Sequence, residues 1–195
     1  MTSNPAATDL LQRRQTLYAA RDRGDSEYLI AALLDPDHRK LAAKFLGDLQ
    51  VVAATRPLLR LLDATDPHVR VVAIDALGRL GVEEARAPLR ELARNDDEAM
   101  VRAWAIDALG KFGEAEDVEF LIGALKDSSA RVRGAAALAL GRAGDERAIE
   151  PLRAARRRLR RSPADWYLHR RVYNDAIGVL SRSRQNRHRF PQAGS

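Results

Sequence analysis

The segment VRVVAIDALGRLG, beginning at Val69, is answered 32 residues later by VRAWAIDALGKFG, beginning at Val101. Self-similarity at this period constrains the chain more than its composition does. A unit of ~30 residues cannot bury its own apolar face and must stack on a copy of itself. The same anchor finds HRKLAAKFLGDLQ around Gly47 and VRGAAALALGRAG around Gly141, so reference glycines fall at Gly47, Gly78, Gly110 and Gly141. Arg39, Arg70, Arg102 and Arg133 each stand eight residues before a glycine. Between copies lies a second apolar segment, Pro57-Leu58, Pro88-Leu89 and Pro151-Leu152, with Phe120-Leu121 in the third place. Each unit therefore reads as two helices joined by a turn.

The punctuation agrees. Asp35-Pro36 and Asp66-Pro67 pair a capping carboxylate with proline at the first helical position, where its missing N–H costs nothing. Gly81, Gly113 and Gly144 stand just past helix ends, suited to a left-handed cap, and the first copy has Gln50 there. Asp96 and Asp127 precede Arg102 and Arg133 by six residues, so stacking predicts Arg–Asp pairs between neighbouring units. The pattern predicts helices over 8–23, 26–34, 36–48, 55–63, 67–80, 84–94, 98–112, 116–126, 130–142, 146–161 and 164–183. With 5% aromatic residues and no alternating β-branched runs, the expected class is all-α.

The D…VRxxAxxALGxxG units resemble HEAT repeats of the short type named after phycobilisome lyases. The resemblance spans about residues 26–155 and implies a right-handed α-α superhelix, a HEAT-like solenoid of about five helix pairs. The expected organisation is an N-terminal cap helix over 1–25, repeats over 26–146, a degenerate basic repeat over 147–183 and a basic tail over 184–195. The repeat class also includes bilin lyases, iron-dependent hydroxylases and a DNA glycosylase, so it implies fold more than function.

If the second helices line the concave surface, three rows face a partner. They are Lys40, Val71, Ala103 and Gly134; Ala43, Ile74, Ile106 and Ala137; and Lys44, Asp75, Asp107 and Leu138. Ile74 and Ile106 are then apolar anchors for a partner segment, or else they pack between units. Trp104 falls in a row with Leu41, Val72 and Ala135 that reads as buried, which favours a space-filling core role over an exposed binding aromatic. Asp75 and Asp107 form an acid–base pair or, more in keeping with their row, a repeat-derived surface feature in which Lys44 pairs with Asp75.

The net charge of +6 is unevenly distributed. Residues 147–195 carry 13 Arg against Glu150, Asp165 and Asp175, a net of +10, which leaves residues 1–146 at −4. A fifth repeat reads out of AIGVLSR, with Ser181 in the glycine's place, 40 residues after Gly141, and the extra length falls in the most basic stretch. Arg153, Arg156, Arg157, Arg160, Arg161, Arg170 and Arg171 form a basic patch there. Three readings stay open for it: a solvated terminal helix, a contact for an acidic protein, or a nucleic-acid surface.

The absence of cysteine excludes disulfides and thiolate chemistry. The iron-dependent hydroxylases use paired His-Glu ligands. No His-Glu dipeptide occurs here, and His38, His68, His169 and His188 hold unrelated repeat positions, so no metal and no cofactor are expected. No apolar run approaches a membrane span, and a cytoplasmic protein is expected. The leading expectation is a non-enzymatic scaffold binding a protein through its concave face. Nucleic-acid binding by the arginine cluster is second, and an enzyme of the bilin-lyase kind third.

Overall fold

Helices form where the 3.6-residue apolar rhythm runs between an acidic or serine start and a glycine stop. The computed structural model describes residues 5–159 and 170–182. In chain order the helices are α1 (Pro5–Arg23), α2 (Ser26–Ala31), α3 (Arg39–Asp48), α4 (Thr55–Arg60), α5 (Pro67–Leu80), α6 (Arg86–Asn95), α7 (Ala99–Phe112), α8 (Asp117–Ala124), α9 (Ala130–Ala143) and α10 (Ile149–Leu159). A further helix, α11, runs through residues 170–182. Short 3-10 turns extend α2 over Ala32–Leu34 and α4 over Leu61–Asp63. The fold is all-α, and no strand occurs among the described residues.

The expected caps are in place at most boundaries. Asp66 accepts the His68 N–H at 2.8 Å, with Pro67 opening α5. Gly81, Gly113 and Gly144 take positive φ at the ends of α5, α7 and α9. Gln50 adopts the same left-handed backbone, φ +53°, after α3, a strained conformation for a residue with a Cβ. α3 begins later than its sequence pattern, at Arg39 rather than at residue 36. Asp35 spends its carboxylate on the Asp37 N–H and on His38 Nδ1, both at 2.9 Å, which holds the intervening residues in a turn.

The chain divides into two compact units, Met1–Pro88 and Leu89–Ser195. In the first, α1 caps α2 and α3, α4 packs on α5, and the second helices α3 and α5 pack on each other. In the second, α8 packs on α7 and α9, and α7 packs along α9. Each core is made of aliphatic residues facing between helices: Leu17, Leu29, Leu46, Leu58 and Leu77 in the first, Leu109, Leu121, Leu140 and Leu152 in the second. Full burial of one such leucine stabilises the fold by ~1.5–3 kcal/mol.

The reference glycine marks the closest approach of successive second helices. A Cβ on Gly47 would lie 2.8 Å from Ala76 Cα, and one on Gly110 would lie 2.5 Å from Ala139 Cβ. Gly141 approaches Ala176 in the same way, at 3.1 Å. That contact corrects the register of the last repeat. Ala176 takes the place of Ala76 and Ala139, which puts Gly178, not Ser181, at the reference position. Tyr173, Ala176, Ile177 and Leu180 are buried accordingly, while Val179 is exposed. The AIGVLSR echo misled because it matched letters three residues out of phase with the buried stripe.

The repeat arginine ties each second helix to the turn before it. Arg70 Nη1 donates to the carbonyls of Ala64 and Thr65, Arg102 Nη1 to those of Asp96 and Asp97, and Arg133 Nη1 to those of Asp127 and Ser128. Arg102 also forks onto Asp127, with Nε–Oδ2 at 3.0 Å and Nη2–Oδ1 at 3.1 Å, the expected pair between neighbouring repeats. Burial works to raise the Asp127 carboxyl. The hydrogen bond from Arg102, the Ser129 N–H and the guanidinium charge outweigh it and hold the group below the ordinary 3.8.

Gly110→Ala overpacks the α7–α9 crossing and costs ~1–3 kcal/mol, read by urea unfolding. Gly123→Ala, where a Cβ meets open space in α8, instead stabilises by ~0.5–1 kcal/mol. The depressed Asp127 carboxyl contributes stability that is present above its unfolded value and lost as pH falls through the lower folded value. Asp127→Asn therefore destabilises at pH 7, and its deficit against the unmodified protein shrinks on acidification below pH 4. A deficit that stays constant from pH 7 to pH 3 refutes that assignment.

Candidate functional site

Within each unit the second helices pack on each other, α3 on α5 and α7 on α9, and the first helices α4 and α8 pack on them from another side. One stripe remains open. In α5 it runs through His68, Val72, Asp75 and Arg79, in α7 through Met100, Trp104, Asp107 and Lys111, and in α9 through Arg131, Ala135, Leu138 and Arg142. Each stripe follows 4-3-4 spacing and each ends on a cation.

This geometry corrects the assignment of the partner-facing rows. Ile74 and Ile106 are fully buried, as are Ala43 and Ala137. Their apolar surface is already occupied by the chain itself, so they are core residues and not partner anchors. Val71 is half-buried, and Ala103 and Gly134 are buried. The row expected to be core is instead the open one. Trp104 is 38% exposed, and Leu41, Val72 and Ala135 are half-buried.

In the second unit this open row lines a cleft of about 640 Å³. Trp104 and Asp107 come from α7, Arg131, Ala135 and Leu138 from α9, and Val172 from α11, over a floor that includes Ala103 and Gly134. Leu138 is 43% exposed. The cleft is thus predominantly apolar with a charged group toward each end, the composition of a binding pocket. Trp104, Leu138 and Val172 exchange water contact for apolar contact when something fills it.

The carboxylates facing the stripes are neutralised within the chain. Asp107 accepts Arg142 Nη1 at 2.6 Å and lies 3.3 Å from Lys111 Nζ. Asp75 accepts Arg79 Nε at 2.9 Å, and Arg79 also reaches Asp48 at 2.8 Å. Lys44 pairs with Asp48 at 2.7 Å rather than with Asp75, one helical turn along α3, and Lys40 pairs with Asp66 at 3.1 Å. Asp75 and Asp107 therefore serve as charge partners along the stripes.

The described part of the basic patch is partly tied down. Arg153 bonds Glu150 at 2.6 Å, Arg156 Nη1 donates to Asn174 Oδ1 at 2.8 Å, and Arg171 Nε lies 3.6 Å from Asp175. Arg157 and Arg170 are exposed. Arg160 and Arg161, the extra length of the last repeat, Trp166 and the tail lie outside the described residues. A second, smaller cavity of about 330 Å³ in the first unit is lined by Arg13, Tyr28, Asp35 and the buried His38. There the hydrogen bond with His38, with the Asp37 N–H, holds the Asp35 carboxyl below its ordinary value. Among the described residues no cluster of three His, Cys, Asp or Glu side chains is placed to hold a metal, and no helix is long and apolar enough to cross a membrane.

The comparisons match this architecture. The family model for HEAT repeats matches residues 26–110 and 91–167, most of the sequence. This chain belongs to the HEAT-repeat family. It is 36% identical over 121 residues to a phycobilisome maturation protein of Synechococcus elongatus, covering 60% of this chain and 58% of that protein. It is 32% identical over 143 residues to phycocyanobilin lyase subunit alpha of a Picosynechococcus species, covering 63% and 53%. The resemblance to the short, lyase-type HEAT repeat is therefore borne out, although the chain spans only a little over half the length of these relatives. The crystal structure of an engineered protein matches 87% of this chain and 84% of its own, with TM-score 0.55 at 20% identity, which bears on the fold alone. The expectation of a non-enzymatic protein is corrected by these relatives, one of which is named as a lyase subunit.

Sequence reasoning favoured a core role for Trp104 over a binding one, set Leu138 in a row with Lys44, Asp75 and Asp107, and did not single out Arg131 or Val172 as site residues. The signal that finds them is the cation closing each 4-3-4 stripe, because a charged residue at one point of a helical face marks that face as solvent-exposed. The buried row also yields a prediction. Ile74→Glu combined with Ile106→Glu places carboxylates where nothing compensates them, and it unfolds the protein, with loss of helical circular dichroism. A folded double variant contradicts the burial described.

Proposed function

We propose that this chain is a lyase-related HEAT-repeat protein whose second unit holds a client protein during the maturation of a pigment-bearing assembly. The observation that carries this reading is the Trp104 cleft: an exposed tryptophan, Leu138 and Val172 left open over a floor of small residues. A half-exposed aromatic in a pocket is the side chain that most often dominates a protein interface. The names of two relatives, a phycobilisome maturation protein and a phycocyanobilin lyase subunit, supply the class of work.

The chain's two tryptophans are Trp104 and Trp166, so a Trp166→Phe variant reports on the cleft alone. Titrating it with the apo-protein of a phycocyanin subunit is expected to shift and saturate Trp104 emission. A parallel titration with phycocyanobilin alone separates capture of protein from capture of pigment. Leu138→Glu weakens the protein titration by about tenfold or more while circular dichroism is unchanged. Unchanged Trp104 emission with both probes, or binding that survives Leu138→Glu, sinks this reading.

A further inference from the structure

We infer that the element seated in the Trp104 cleft is an acidic amphipathic segment of protein, its apolar side chains against Trp104 and Leu138 and its carboxylates toward Arg131. The inference rests on the client-holding reading above and adds the chemistry of what is held.

Three features of the cleft converge on that occupant. The first is the wall composition. Trp104, Leu138 and Val172 stand over Ala103, Gly134 and Ala135, which leaves room for the side chains of another helix or extended segment but offers no polar backbone for it to bond. An amphipathic helix laid on such a face contributes anchors at helical spacing. The second is charge. Arg131, at the start of α9, is exposed and has no ion pair or hydrogen bond among the described residues, unlike Arg79, Lys111 and Arg142, the cations that close the stripes of α5, α7 and α9.

The third feature is the opposite end. Asp107 is engaged by both Arg142 and Lys111, which leaves Arg131 as the charged lining residue without an ion pair among the described residues. That unpaired positive charge favours a segment carrying carboxylates at the Arg131 end of its apolar anchors and opposes a basic one. Tryptophan with arginine also suits a nucleic-acid base and phosphate. The aliphatic walls favour the protein segment, because Leu138 and Val172 match aliphatic anchors that a nucleic acid lacks.

The test uses the full chain carrying Trp166→Phe, with and without Arg131→Gln, and follows Trp104 emission. The probes are a short amphipathic helical peptide of Glu, Leu and Phe, the same peptide with Gln for every Glu, and a single-stranded oligonucleotide. The Glu peptide is expected to bind saturably and the Gln peptide about tenfold more weakly. Arg131→Gln removes most of that difference by weakening the Glu peptide alone. Equal affinities for the two peptides, both retained in Arg131→Gln, overturn the acidic assignment and leave the apolar cleft standing. Tighter binding of the oligonucleotide overturns the protein segment in favour of nucleic acid. Binding of none of the three probes overturns this inference, whereas the client-holding reading stands or falls separately on the phycocyanin apo-protein titration.

Discussion

Successive second helices approach until backbone meets methyl group: Gly47 on Ala76, Gly110 on Ala139, Gly141 on Ala176. At these crossings the first residue has no room for any side chain and the second has room for one carbon. Such contact draws on dispersion between close-packed atoms rather than on large apolar side chains. This explains how a chain with 5% aromatic residues builds a core. It also explains why the repeat carries AxG at its centre while its flanks drift.

The same close approach decides which surface is left over. Once the flanks of a second helix are covered by its neighbours, a residue such as Ile74 cannot reach solvent, however well its row suits a groove in projection. The remaining stripe is narrow. In the first unit it carries charges that neutralise one another, through Lys44, Asp48, Arg79 and Asp75. In the second it carries Trp104, Ala135 and Leu138, with α11 closing one side through Val172. Two units written in the same repeat thus present different surfaces, one laced with ion pairs and one open and apolar.

Arginine holds the stack in register through the turns. Nη1 of Arg70, Arg102 and Arg133 each satisfies two carbonyls that would otherwise face the helix junction unpaired. Arg102 adds a bidentate bond to Asp127 in the following repeat, where both side chains are largely buried and the pair is shielded from solvent. The carboxylate also accepts the Ser129 N–H at 2.7 Å, in the turn that leads into α9. One aspartate therefore links its own turn to the neighbouring repeat, which gives the repeat its recurring Arg–Asp spacing.

Sequence by itself determined the helical class, the period, the glycine stops and the Arg102–Asp127 pair. Each of these is local or repeats at fixed spacing, and periodicity transmits such information directly. It misplaced the start of α3, because the engagement of both Asp35 oxygens by Asp37 and His38 is invisible to a pattern of caps. It set the last repeat three residues out of phase, since letter identity outran the burial pattern once the period was broken. Only tertiary structure decided which face was free. A helical wheel shows that two faces differ, but which of them a neighbour covers depends on where the flanking helices lie. That one rotation turned Ile74 and Ile106 into core and brought Trp104 to the surface.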